Sequence, residues 1–140
     1  MVIGYTSGVF DLFHVGHVNL LRNAKSMCDK LIVGVTTDEL VSYKNKRPVI
    51  PYSERIEVVK ACRYVDVAIA QYDMNKLDMI SKLKANIMFV GDDWYRSDSW
   101  EKYELELKSL DCEICYFPYT QGVSSTLINR ELDKIRKEGV

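Results

Sequence analysis

The chain has 140 residues, close to the usual size of one domain and enough to enclose a single core. Its formal net charge of −1 lacks the basic excess that nucleic-acid binding requires, whereas a small phosphorylated ligand needs only a few local cations. No run approaches the roughly 18 apolar residues of a membrane span. Residues 1–11 carry no basic segment and meet an acid early, so a signal peptide is not expected there and a cytoplasmic location is.

Strand and helix signals alternate along the chain. Residues 2–7 read as a strand ended by Ser7-Gly8, and residues 16–28 as a helix with Val18, Leu21 and Ala24 on one face. Residues 31–35 are continuously apolar, as in a strand buried on both faces. Residues 44–51, with Lys44, Lys46, Arg47, Pro48 and Pro51, fit no regular element and read as a loop. Ser53 is placed to cap a helix running to Arg63. A strand is expected from Val65 to Ala70, a helix marked by Leu77, Ile80 and Leu83, and a strand at 87–90 stopped by Gly91. Asp98 and Glu101 have capping-box spacing at the head of a helix through Leu110. Residues 114–117 read as the fifth strand, and Ser124 as the cap of a last helix striped by Ile128, Leu132 and Ile135.

This alternation predicts a single α/β domain over 1–140, Rossmann-like and doubly wound, with a five-stranded parallel sheet and helices on both faces. Ligands of such folds bind beyond the carboxyl ends of the strands, here 7–16, 36–38, 71–74, 91–97 and 118–124. Cys112 and Cys115 have C-x-x-C spacing, but on a strand residues three apart face opposite ways and no second pair completes a zinc site. Reduced, partly buried thiols are expected.

The loop after the first strand reads Ser7-Gly8-Val9-Phe10-Asp11-Leu12-Phe13-His14-Val15-Gly16-His17 and holds both histidines of the chain. Gly16 would let the backbone turn tightly into the helix and let a ligand approach. The helix start offers free N–H groups and partial positive charge, and His14 and His17 add two donors. That combination suits a group whose negative charge grows during phosphoryl-type transfer. A third ligand for zinc is missing, so no metal is expected on these nitrogens. Thr120-Gln121-Gly122-Val123-Ser124-Ser125-Thr126, after the fifth strand, is either a second anion cradle or an ordinary N-cap.

Gly8-x-Phe10-Asp11-x-x-His14-x-Gly16-His17 resembles the signature of the cytidylyltransferase branch of the HxGH nucleotidyltransferases. Thr120, Gly122, Ser124 and Thr126 fit that family's R-T-x-G-I-S-T stretch, with Val123 and Ser125 close. The likeness is strongest to the glycerol-3-phosphate group of the family, through Thr37-Asp38-Glu39, Lys44, Lys46, Ser53-Glu54-Arg55, Arg63-Tyr64-Val65-Asp66 and Gly91-Asp92-Asp93-Trp94. Tyr119 stands where the family has arginine, and Met74 where the glycerol enzymes have tryptophan.

The resemblance implies transfer of CMP from CTP to a phosphorylated small alcohol with release of pyrophosphate. Glycerol-3-phosphate is the first candidate acceptor; choline phosphate, ethanolamine phosphate and another phosphorylated polyol stay open. It implies His14, His17 and Lys46 in catalysis. Ser7, Gly8, Val9, Phe10, Gly16, Lys44, Asp92, Thr120, Gly122, Val123, Ser124, Ser125 and Thr126 would bind the nucleotide. Asp11, Asp38, Arg55, Arg63 and Trp94 would serve the acceptor, with Asp11 either orienting a hydroxyl or holding the loop. Mg²⁺ bound with CTP and a homodimer are also implied, with no nucleic acid and no membrane insertion. The rival readings are an adenylyltransferase of the same superfamily, acting on FMN or a similar phosphorylated acceptor, and a catalytically silent nucleotide-binding protein.

Overall fold

The computed structural model describes residues 1–42, 47–73, 76–91, 98–118 and 125–137. Its strands are β1 (Ile3–Gly8), β2 (Lys30–Thr36), β3 (Val67–Gln71), β4 (Ile87–Gly91) and β5 (Glu113–Phe117). The helices are α1 (Val15–Ser26), α2 (Asp38–Ser42), α3 (Tyr52–Ala61), α4 (Leu77–Leu83), α5 (Asp98–Ser109) and α6 (Ser125–Lys137). The strands form one parallel sheet in the order β3-β2-β1-β4-β5.

Buried parallel strands need apolar residues on both faces, and the alternation sorts them. Tyr5, Ile32, Met88 and Val90 meet Ile80 and Leu107 from α4 and α5 on one face. Leu31, Val33, Val35 and Phe89 meet Leu21, Ala24 and Val59 from α1 and α3 on the other. Cys112 joins the first cluster and Cys115 packs against the second, so the C-x-x-C pair is split between faces as expected. Burial pushes the Cys112 thiol up to about 11, which keeps it protonated and inert. Gly34 lies where a Cβ would fall on the Tyr5 hydroxyl, so β2 passes this close to Tyr5 only without a side chain.

Several local expectations are corrected. A short helix, α2, begins at Asp38, where a loop was expected, because five residues are too few to show a period. Pro51, not Ser53, is the N-cap of α3, and no side chain of its own caps it. The Asp38 carboxylate, fourteen positions upstream, instead accepts the Tyr52 N–H at 3.1–3.2 Å. The helix expected to start at Asp98 does so, as α5. Ile128 and Leu132 of α6 are half-buried, but Ile135, expected on the same apolar stripe, is exposed. Among the described residues no helix is long and apolar enough to cross a membrane.

The sheet order places the site. From β1 the chain moves to β2 and β3 on one side, then crosses back to β4 and β5 on the other. The carboxyl end of β1 is therefore the switch point, where loops diverge and leave a crevice.

Candidate active site

β1 ends at Gly8, and the chain turns into α1 through residues 9–14. The turn is made not by Gly16, which lies within the helix, but by Phe10 and Leu12, at φ 54° and 49°. Side-chain-bearing residues hold that left-handed conformation only where their surroundings fix it. Phe10 is fixed by burial, its ring 5.4 Å from that of His17 and 6.4 Å from that of Phe13. Gly8 lets this ring lie close, since a Cβ there would come within 3.2 Å of it.

His14 is the N-cap of α1. Its Nδ1 accepts the Gly16 N–H at 3.0 Å, and the Nδ1 of His17 accepts the His14 N–H at 3.1 Å. This is a reciprocal capping box built from two histidines. The rings stack at 4.0 Å and 25°, and Phe13 extends the stack at 5.2 Å from His17. An imidazole whose Nδ1 accepts from an amide carries its proton on Nε2 when neutral. Neutrality is favoured at both rings. Burial lowers the His14 pKa. Burial, then the neighbouring His14, takes His17 down to about 4 against the opposing pull of Asp11. The site therefore offers two neutral Nε2–H donors at a helix start whose first turn has no acid, a setting suited to phosphate oxygens.

Around this loop the candidate acceptor residues have other partners. The Asp11 carboxylate accepts from Val49 N at 2.8 Å and Ile50 N at 3.0 Å, which ties the turn after β1 to the approach to α3. Arg55, expected on substrate, is fully buried. It donates from Nε to Ile50 O, from Nη1 to Val9 O and Thr36 O, and from Nη2 to Asp38 Oδ1, all at 2.7–2.8 Å. Asp38 is thereby ion-paired, and its other contact is the α3 start. Burial would raise its pKa, but the Tyr52 N–H, the Arg55 bond and charge, and the Arg47 charge bring it below the ordinary value. Arg63 is not brought to the loop. It follows the C-terminal end of α3, with its guanidinium 5.8 Å over the Tyr64 ring, three residues before Asp66, whose N–H meets Leu31 O at the amino end of β2.

Phe10 and Gly16 thus touch the histidines and Gly8 lies against the Phe10 ring, while Ser7 precedes Gly8 in β1 and the Val9 carbonyl is taken by Arg55. Lys44, Lys46, Asp92, Trp94, Thr120, Gly122, Val123 and Ser124 lie outside the described residues, as do Met74 and Tyr119; Ser125 and Thr126 open α6. Sequence reasoning missed Phe13, Val49 and Ile50. No residue-type signal marks backbone amides as carboxylate partners, but His14-x-x-His17 has the spacing of a capping box and could have been read as one. Among the described residues no group of three or more His, Cys, Asp or Glu side chains is placed to hold a metal ion.

The model of the cytidylyltransferase-like family matches residues 5–131. A glycerol-3-phosphate cytidylyltransferase of Staphylococcus aureus is 35% identical over 128 residues, covering 91% of this chain and 92% of the relative. An FAD synthase of Pyrococcus horikoshii is 42% identical over 132 residues, 91% of this chain and 88% of the relative. A lipopolysaccharide core biosynthesis protein of Thermoplasma volcanium has the same fold, with a TM-score of 0.72 at 24% identity over 86% of this chain and 97% of that one.

Proposed function

The chain is a member of the cytidylyltransferase-like family, a nucleotidyltransferase, and from that premise we propose that it transfers the CMP unit of CTP to a phosphorylated small alcohol, glycerol-3-phosphate first among them, releasing pyrophosphate. The observation that carries the reaction class is the reciprocal His14–His17 cap, which fixes both imidazoles as Nε2–H donors at the start of α1. The acceptor's phosphate oxygen is already ionised at neutral pH, so it attacks the α-phosphorus without a general base. The new P–O bond forms as the bond to the β-phosphate's bridging oxygen breaks, and the electron pair leaves with pyrophosphate. His14 and His17 donate to oxygens on which negative charge builds in the five-coordinate transition state. Mg²⁺ bound with CTP would supply neutralisation of phosphate charge, beside the donors His14 and His17. Lys44 and Lys46 are proposed to offset the repulsion between the two polyanions. The choice of CTP and glycerol-3-phosphate is supported by likeness over nine-tenths of the chain to a glycerol-3-phosphate cytidylyltransferase.

A second reading, an adenylyltransferase acting on FMN, is supported by comparable identity to an FAD synthase. The two are separated by pyrophosphate release with CTP or ATP against glycerol-3-phosphate, choline phosphate, ethanolamine phosphate and FMN, with products identified by mass. CDP-glycerol from CTP is the expected result. Preference for ATP with FMN replaces the first reading by the second. Nucleotide binding without turnover on any acceptor refutes both.

A further inference from the structure

We propose that Arg55 is a positioning residue for this transfer: without touching substrate, its guanidinium sets the loop that carries His14 and His17. The inference rests on the reading that those two imidazoles act on the phosphates. Three separate stretches of backbone converge on this one side chain. Val9 O belongs to the turn after β1, Thr36 O to the last residue of β2, and Ile50 O to the approach to α3. With the bond to Asp38 Oδ1, four of the five guanidinium N–H groups are committed to protein acceptors. The side chain has no exposed surface, whereas its ion-pair partner Asp38 is 44% exposed. A buried cation is retained at a cost unless it is fully bonded, and here the bonds are those that join the three stretches.

Asp11 works on the same stretch from the other side. It accepts the Val49 and Ile50 N–H groups, so Ile50 is held by both its N–H and its carbonyl. Between Val9 and Asp11 lies Phe10, at positive φ, with its ring against His17. Arg55 thus fixes the residue before Phe10, Asp11 the residue after it, and Phe10 passes the constraint to His17. A lysine offers a single nitrogen and cannot span three carbonyls and a carboxylate in one plane.

The test is Arg55→Lys, read in two ways. In the ligand-free protein, the side-chain nitrogen resonances of His14 and His17 are expected to shift, since the Nδ1 acceptor geometry loosens. In turnover with CTP and the acceptor found above, kcat is expected to fall about 10²-fold, the scale of an ångström-sized misplacement. Both KM values should stay within about three-fold, because no ground-state contact is lost. A selective rise in one KM with kcat unchanged puts Arg55 on that substrate and overturns the proposal. So do unchanged histidine resonances. If Arg55→Lys does not fold, Asp38→Asn serves, keeping an oxygen acceptor while removing the charge. The same shift and a kcat loss of about ten-fold are then expected, and wild-type spectra with wild-type kcat overturn the idea. A wild-type protein that turns over no nucleotide refutes the transferase reading alone, because the ligand-free spectra still decide the role of Arg55.

Discussion

Replacing His17 by asparagine separates two roles of one ring. Its Nδ1 accepts the His14 N–H and closes the start of α1, while its Nε2 carries the donor proton. Asparagine places an amide oxygen near the position of Nδ1 and nothing near that of Nε2. Glutamine does the reverse. His17→Asn is therefore expected to keep the cap, worth roughly 1 kcal/mol, and to lose about 10²–10³-fold in kcat, the size of a lost oxyanion-type donor. His17→Gln is expected to lose about the cap's 1 kcal/mol of stability and to keep more of the turnover. Protonation supplies a second signature. The folded pKa of about 4 lies below the ordinary value near 6.5, so the unfolded chain binds the proton first as pH falls. This contribution to stability is fully present above about pH 6.5 and is lost progressively toward pH 4. At 1.36 kcal/mol per unit the full shift is about 3 kcal/mol, and allowing for the partial exposure of the ring leaves about 2 kcal/mol. Urea melts between pH 4 and 7.5 should show this slope in the wild type and its loss in His17→Asn. Pyrophosphate release should show no histidine limb near pH 6.5. Such a limb in the wild type, abolished by His17→Asn, would mean that a charged imidazole does the chemistry and would refute the neutral-donor argument. Near-normal turnover in His17→Asn would refute the role itself.

Lys46→Ala is expected to lower kcat/KM by about 10–150-fold, the value of a hydrogen bond to a charged group, with the melting temperature unchanged; intact kinetics would leave this lysine with no part in the reaction. Gly34→Ala brings a methyl onto the Tyr5 hydroxyl and within 3.0 Å of Gln71 Oε1, so chemical denaturation should show a loss of about 1–3 kcal/mol. The protein is proposed to be a homodimer, the commonest oligomer, and sedimentation at micromolar concentration should give twice the chain mass; a fully active monomer would count against it.

What the sequence made legible follows from which interactions are local. The strand at 31–35 is visible because burial on both faces demands an unbroken apolar run, and α1 because Leu21 and Ala24 recur at helical spacing. The histidine loop is visible because its chemistry is concentrated in eleven consecutive residues. Arg55 stood out in the sequence through its motif, but its burial did not. Arginine is almost never fully buried unless paired, and three of its four acceptors here are backbone carbonyls, which have no residue-type signature. The cap of α3 was misplaced for a related reason. Ser53 satisfies the local rule, but the acceptor actually used is Asp38, brought in by α2, an element too short to leave a period. Both misses have one origin: the same Asp38 carboxylate caps α3 and pairs with Arg55, so the start of α3, the end of β2 and the histidine loop are one hydrogen-bonded unit. A residue can then bear on the reaction without facing the crevice. Motif matching names Asp11, Asp38 and Arg55 together with the histidines, and the hydrogen bonds give a physical reason for that grouping. They hold in place the loop on which the donors sit.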